Sequence, residues 1–166
     1  MELQKRKPNR LKNYDYSQNG AYFITICTKD RKPILSVIEN ADETVEASIA
    51  RPPKIQLTDV GLIVDKAING ISIHYQNVFI DNYVIMPNHV HLIIRIDNNG
   101  RAMLAPTISR IIQQFKGYIT KQIGESIWQK LYYDHIIRDN IDYQNIWQYI
   151  DENPTKWAED KYNTNI

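Results

Sequence analysis

The composition of this 166-residue chain is that of an ordinary globular protein, with 43% hydrophobic and 23% charged residues. Its length predicts a single domain over residues 1–166 with a sizeable core. No apolar run is long enough to cross a bilayer, and the basic N-terminus lacks the apolar stretch of a secretory signal. A membrane partner is therefore not expected. Cys27 is the single cysteine, which excludes an intramolecular disulfide and favours a reducing, cytoplasmic location.

The net charge is only +1, but the basic residues are unevenly spread. Residues 1–12 carry five Lys or Arg against one Glu, and residues 101–138 carry six against two acidic residues. Local basic patches are typical of surfaces that contact a phosphate backbone, and also of ordinary solvated surfaces. Any argument for nucleic acid therefore has to come from the residues of a site.

The first half of the chain contains one predicted strand and one predicted helix. Residues 1–20 are expected to form a basic, irregular lead-in, and residues 21–29 a buried strand rich in β-branched and aromatic side chains. The acidic segment 36–54 ends in two prolines, which predicts a surface excursion or loop. Thr58 is positioned to cap a helix that runs to about residue 73.

The second half alternates strands and helices. Two strands are predicted, over 78–85 and from His89 to about residue 97, with a third over 127–137. One helix starts at Thr107 or Ser109 and ends before Gly124; another starts at Asn140 or Asp142 and ends near Glu152, limited by Pro154. Hairpin-connected strands with interspersed helices predict an α+β sandwich, an antiparallel sheet with helices packed on it.

His89 and His91 form a candidate metal site. Residues i and i+2 of a strand point to the same side, so the two imidazoles would stand side by side and share one divalent ion, while Val90 points into the core. A bare His-x-His pattern is weakly specific. Here, however, two of only four histidines lie on one face of an apolar strand, where unsatisfied polar rings are costly.

Tyr149 and Asn153 lie four residues apart in the last helix and therefore share one helical face. An amide oxygen from Asn153 is a reasonable third ligand for Mg²⁺ or Mn²⁺, which would hold Tyr149 about one turn from the metal. The phenol could then attack a phosphate bound at the metal. Asn153 also fits a helix C-cap, and Tyr149 could simply pack on the sheet. Tyr118, on the preceding helix, is the competing nucleophile.

Four stretches of the sequence resemble the REP-associated tyrosine transposases, which belong to the HUH (His, hydrophobic, His) superfamily of single-strand insertion-sequence transposases. They cover more than half of the chain: NRLKNYDYSQNGAYFITICT (9–28), YVIMPNHVHLIIRI (83–96), SRIIQQFKGYITKQI (109–123) and WQKLYYDHIIRDNIDYQNIWQYIDENPTKW (128–157). The combination of MPNHVHLII, a DHIIRD block and YI-x-x-NP is specific to that family.

The resemblance implies a fold, a site and a substrate. The fold would be a ferredoxin-like α/β sandwich of the HUH-endonuclease type. The metal ligands would be His89, His91 and Asn153, the metal Mg²⁺ or Mn²⁺, and the catalytic tyrosine Tyr149. The substrate would be single-stranded DNA with hairpins at repeats or element ends. Some relatives exchange the tyrosine helix between subunits, so a homodimer is one expectation, although the short linker before this helix favours a site within one chain.

DNA contacts are expected from basic and aromatic residues, because cations track phosphates and aromatic faces stack on unpaired bases. The candidates are Arg10, Lys12, Lys116, Lys121, Trp128, Tyr132 and Arg138, each of which could also be a surface cation or a core aromatic. Arg138 is additionally a candidate to brace the scissile phosphate. His135 is expected to be structural or to contact a ligand residue.

Four functions are compatible with these residues. The first is a transposase that cuts and rejoins single-stranded DNA through a phosphotyrosine intermediate. The second is a domesticated relative that acts at repeated extragenic hairpins, and the third is a catalytically silent protein that binds such hairpins. The fourth is a metal-dependent nuclease that uses water.

Overall fold

The structure, a computed structural model, describes residues 15–39, 53–98, 106–160 and 162–163 of the chain. Six strands are present: β1 (Gly20–Cys27), β2 (Ser36–Glu39), β3 (Lys54–Leu57), β4 (Val78–Ile85), β5 (His89–Ile96) and β6 (Tyr133–Ile137). The three α-helices are α1 (Asp59–His74), α2 (Ile108–Ile123) and α3 (Asn140–Glu152). Within the described ranges, no helix is both long and apolar enough to span a bilayer.

The main sheet has four antiparallel strands in the order β4-β5-β1-β6. Strands β4 and β5 form a hairpin, and β1 lies between β5 and β6. The register places His91 opposite Thr25 and Phe23 opposite His135. Strands β2 and β3 pair separately as a two-stranded ribbon. The α+β prediction, with helices packed on an antiparallel sheet, is confirmed.

The two faces of the main sheet pack against different helices. Alternate residues of β1 and β5 form a large apolar cluster with α1 and α2, which includes Tyr22, Ile24, Val90, Leu92 and Ile94. The residues between them face α3, where a smaller cluster contains Phe23, Met86, Ile93 and Ile150. Strand β5 is buried on both faces except at Arg95, which explains its long apolar run.

The predicted helix boundaries follow from capping residues. The Thr58 hydroxyl accepts a hydrogen bond from the Gly61 amide at 3.0 Å, and Thr107 caps α2 in the same way. Gly124 ends α2 in a left-handed conformation with φ of 91°. Helix α3 is capped by the carboxylate of Asp139, one residue before the predicted start.

Two sequence predictions are wrong in detail. The segment 36–54 is not a loop at its ends, because these ends form the β2–β3 ribbon, whose Ile38 and Ile55 pack against the cluster under α3. The strand predicted over 127–137 is limited to β6, with Trp128 forming an isolated bridge to Thr28. Residues 40–52 lie outside the described residues, as do Arg10 and Lys12.

Gly61 and Gly70 of α1 give a matched pair of substitutions. A Cβ at Gly61 would overlap the carbonyl oxygen of Leu35 and press on the Cβ of Leu57, whereas a Cβ at Gly70 would meet nothing within 4 Å. Gly61→Ala is therefore expected to lower the free energy of unfolding by about 2 kcal/mol or more, since backbone has to move. Gly70→Ala should raise it by roughly 0.5–1 kcal/mol through helix propensity.

Urea unfolding of the two variants beside the wild type measures both changes. Equal stability of Gly61→Ala and Gly70→Ala would contradict the close approach of α1 to the segment before β2.

Candidate functional site

The two histidines of β5 stand side by side on the sheet face that carries α3. His89 and His91 are 0% and 1% exposed, and their ring centroids lie 4.5 Å apart. Val90 between them belongs to the core on the opposite face. The pleat of β5 therefore places the two imidazoles side by side on one face of the sheet, as the sequence pattern predicted.

Polar neighbours fix the orientation of both rings. Thr25 Oγ1 lies 2.8 Å from His91 Nδ1, and Asn88 Oδ1 lies 2.9 Å from His89 Nδ1. The Asn88 amide nitrogen donates to the carbonyl oxygens of Arg31 and Tyr162, so its oxygen faces His89 as an acceptor. His89 Nδ1 then carries the proton, and in the neutral ring the lone pair lies on Nε2, the arrangement that a metal-binding imidazole needs.

Tyr149 approaches the histidine pair from α3. Its hydroxyl lies 3.4 Å from His91 Nε2, and its ring packs edge-on against Phe23, with centroids 5.9 Å apart. Burial raises the pKa of Tyr149, the Asp160 carboxylate raises it further, and a hydrogen bond from Asn153 lowers it. The resting side chain is therefore a neutral phenol at neutral pH.

Asn153 occupies the C-cap position of α3 and is 3% exposed. Its Oδ1 has no hydrogen-bond partner among the described residues. A buried amide oxygen without a partner is costly, and a bound cation would remove that cost. The backbone of Asn153 thus serves as the cap, while its side-chain oxygen is left for another partner.

Asp160 is the residue of this region that sequence reasoning missed. Potential ligand atoms of His89, His91 and Asp160 all lie within 4.8 Å of one another. Asp160 follows the short 3-10 helix Trp157–Glu159, and Tyr162, two residues on, packs its ring 4.6 Å from that of His89. No local sequence pattern marks this acid, because only the path of the chain after α3 brings it to the histidines.

A cavity of about 340 Å³ opens beside the histidine pair. Its walls include His91, Tyr133, His135, Asp142, Tyr149 and Tyr162. His135 Nε2 and Asp142 Oδ2 form a hydrogen bond of 2.8 Å on this wall. His135, which was expected to be structural or to contact a ligand residue, lines the cavity that also contains Tyr149.

Comparisons with known proteins identify relatives of this chain. An uncharacterised protein of Haemophilus influenzae is 34% identical over 177 residues, covering 94% of this chain and 92% of that protein. A putative REP-associated tyrosine transposase from the same organism is 26% identical over 160 residues, covering 88% of this chain and 77% of the relative. No family model matches the chain.

One solved structure shares the fold. The structure of a REP-associated tyrosine transposase bound to a REP hairpin superposes with a TM-score of 0.64 and 22% identity, covering 92% of this chain and 76% of that one. The chain belongs to the REP-associated tyrosine transposase family.

In this member of the transposase family, the other residues predicted to contact DNA are dispersed. Lys116 and Lys121 lie on α2, across the sheet from the histidines, and Tyr118 lies on the same helix. Lys116 Nζ donates to the carbonyl oxygens of Gln129 and Leu131, and burial lowers the pKa of Lys116 to about 8.

The aromatic candidates and Arg138 occupy different environments. Trp128 is buried against Phe115, and Tyr132 packs partly buried on the same core. Arg138 is exposed between β6 and α3, and its amide donates to Asp142. Of the predicted DNA contacts in the described residues, Arg138 is thus the one beside the cavity, and for all of them DNA binding stays a prediction.

Proposed function

We propose that this chain cleaves and rejoins single-stranded DNA at hairpin sites through a covalent phosphotyrosine intermediate. Tyr149 is the nucleophile, and His89 and His91 hold a divalent metal together with Asn153 or Asp160. The observation that carries the proposal is the 3.4 Å contact between the Tyr149 hydroxyl and His91 Nε2, beside two adjacent imidazoles and a cavity.

The donor set of the site fits a divalent cation. Potential ligand atoms of two imidazoles and one carboxylate lie within 4.8 Å of one another. Asn153 on α3 adds a buried amide oxygen that lacks a partner among the described residues. Mn²⁺ accepts both nitrogen and oxygen ligands, and Mg²⁺ prefers the oxygens. When bound, such an ion would withdraw electron density from a phosphate oxygen and stabilise charge that develops during phosphoryl transfer.

The protein's own residues position the nucleophile. Phe23 packs against the rings of both Tyr149 and His91, and the Tyr149 hydroxyl lies 3.4 Å from His91 Nε2. The hydroxyl is thereby held at the mouth of the cavity instead of in solvent. The ester formed with phosphorus retains the energy of the broken bond, so the strand can be rejoined without ATP.

The proposed site is built from one chain. The Tyr149 hydroxyl lies 3.4 Å from His91 Nε2 of the same chain, which supports a nucleophile and metal ligands supplied by one subunit. The REP hairpin bound by the structurally similar transposase supports a hairpin substrate for this chain. Tyr133 and Tyr162, which line the cavity, are suited to stack on unpaired bases near the scissile phosphate.

Covalent adduct formation tests the proposed nucleophile. Labelled single strands from DNA flanking the gene are incubated with Mn²⁺ or Mg²⁺ and analysed on denaturing protein gels. Tyr149→Phe and His89→Ala should reduce the adduct at least about 10³-fold, since each removes a reacting or activating group. Tyr118→Phe is the matched control, because Tyr118 is a half-exposed tyrosine across the sheet, and it should retain full activity.

Loss of the adduct in Tyr118→Phe alone would move the nucleophile to α2. DNA cutting by the wild type with no adduct at any time would make water the nucleophile.

The Mn²⁺ affinity of single-residue variants tests which side chains bind the metal. Mn²⁺ binding, measured by calorimetry without DNA, should fall about tenfold or more in His89→Ala, Asn153→Ala and Asp160→Ala, because each removes a donor. Glu159→Ala is the control, since it removes an exposed acid next to Asp160 and should leave the affinity unchanged. Unchanged affinity in His89→Ala would contradict a metal site here. A loss in only one of the other two variants would identify the third ligand.

A further inference from the structure

The cavity beside Tyr149 contains a second polar group that the proposed reaction has not used. His135 and Asp142 form a 2.8 Å contact on its wall, and their side chains are 40% and 29% exposed. This exposure distinguishes His135 from the buried His89 and His91, since a DNA strand in the cavity could reach its ring.

The positions of β6 and α3 bring His135 and Asp142 to the cavity wall. His135 lies opposite Phe23 across the β1–β6 ladder, so its side chain shares the sheet face of the metal histidines. Asp142 lies in the first turn of α3, where its amide bonds to the capping carboxylate of Asp139. Asp142, Ile146 and Tyr149 follow one stripe of the helix, and all three line the cavity.

Hydrogen bonding orients the His135 ring. With Nε2 bound to the Asp142 carboxylate, the other ring nitrogen, Nδ1, is left to contact a ligand. The other titratable groups that line the same cavity are Tyr133 of β6, Tyr149 of α3, His91 of β5 and Tyr162.

The separation between this pair and Tyr149 suits an in-line displacement. Asp142 and Tyr149 are seven residues apart, about 10 Å along the helix axis. In phosphoryl transfer the attacking and leaving oxygens lie on opposite sides of phosphorus. A group that protonates the leaving oxygen must therefore lie on the opposite side of the phosphate from the nucleophile, with space for the phosphate between the two groups.

We propose that His135 is a catalytic acid that donates its proton to the oxygen leaving the scissile phosphate, and that Asp142 is its positioning residue. This inference rests on the proposed function of Tyr149. As the bond between Tyr149 Oη and phosphorus forms, the bond from phosphorus to the leaving oxygen breaks, and that oxygen takes the proton of the imidazolium. The phenolic proton passes to solvent. In the rejoining step His135 is neutral and accepts the proton of the attacking hydroxyl, the bond between Tyr149 Oη and phosphorus breaks, and the departing phenolate takes a proton from solvent.

A sulfur-substituted substrate tests this role. The cut position is first mapped with the wild type, and a second oligonucleotide is made in which sulfur replaces the leaving oxygen there. A thiolate leaves without protonation. His135→Gln should therefore form the Tyr149 adduct roughly 10²- to 10⁴-fold more slowly on the oxygen substrate, and at the wild-type rate on the sulfur substrate. Asp142→Asn should show the same pattern with a smaller loss.

His74→Gln is the matched control, because His74 is an exposed histidine on α1, and it should behave as the wild type on both substrates. Thermal unfolding verifies that His135→Gln is folded. An equal loss on both substrates would overturn the inference and leave the proposed function standing, since His135 would then only hold α3 or bind DNA. Absence of any Tyr149 adduct in the wild type would remove the proposed function, and this inference with it.

Discussion

Two-sided burial of β5 determines the geometry of the candidate site. Because successive side chains alternate, the strand can anchor one face in the large core through Val90, Leu92 and Ile94 while presenting His89 and His91 on the other. Neither ring can turn away without breaking its contact to Asn88 or Thr25. A rigid central strand therefore supplies the precision that metal binding requires, more reliably than a loop would.

Helix α3 depends on that strand for its own placement. Its face toward the sheet carries Asp142, Ile146, Tyr149 and Asn153, and Ile146 packs on the apolar cluster built on Phe23 and Ile93. The apolar contact orients the helix, so that Asp142 and Tyr149 on either side of Ile146 line the cavity. Burial that raises the pKa of Tyr149 follows from the same packing. The proposed nucleophile is thus a neutral phenol before substrate binds, and a bound substrate would have to alter its surroundings.

Most of the framework could be predicted from local patterns, because strand alternation and capping are short-range properties. The histidine pair, the caps Thr58 and Thr107, and the stop at Gly124 are of this kind. The β2–β3 ribbon was missed because its stability comes from the packing of Ile38 and Ile55 on distant residues. Asp160 and the His135–Asp142 pair were beyond prediction for a similar reason. The path of the chain after α3 brings Asp160 to the site, and the β1–β6 register brings the His135–Asp142 pair there. Neither the path nor the register can be recognised from a local sequence pattern.

Mass spectrometry of the trypsin-digested protein, after reaction with its single-stranded DNA and Mn²⁺, identifies the residue that carries the nucleotide. Cleavage after Arg138 and Lys156 gives the peptide 139–156, which contains Tyr143 and Tyr149, whereas Tyr118 falls in the peptide 117–121. A nucleotide on peptide 139–156, located at Tyr149 by fragmentation, is the predicted result. A nucleotide on peptide 117–121, or cut DNA with every tyrosine peptide unmodified, would contradict a Tyr149 nucleophile beside the histidine pair.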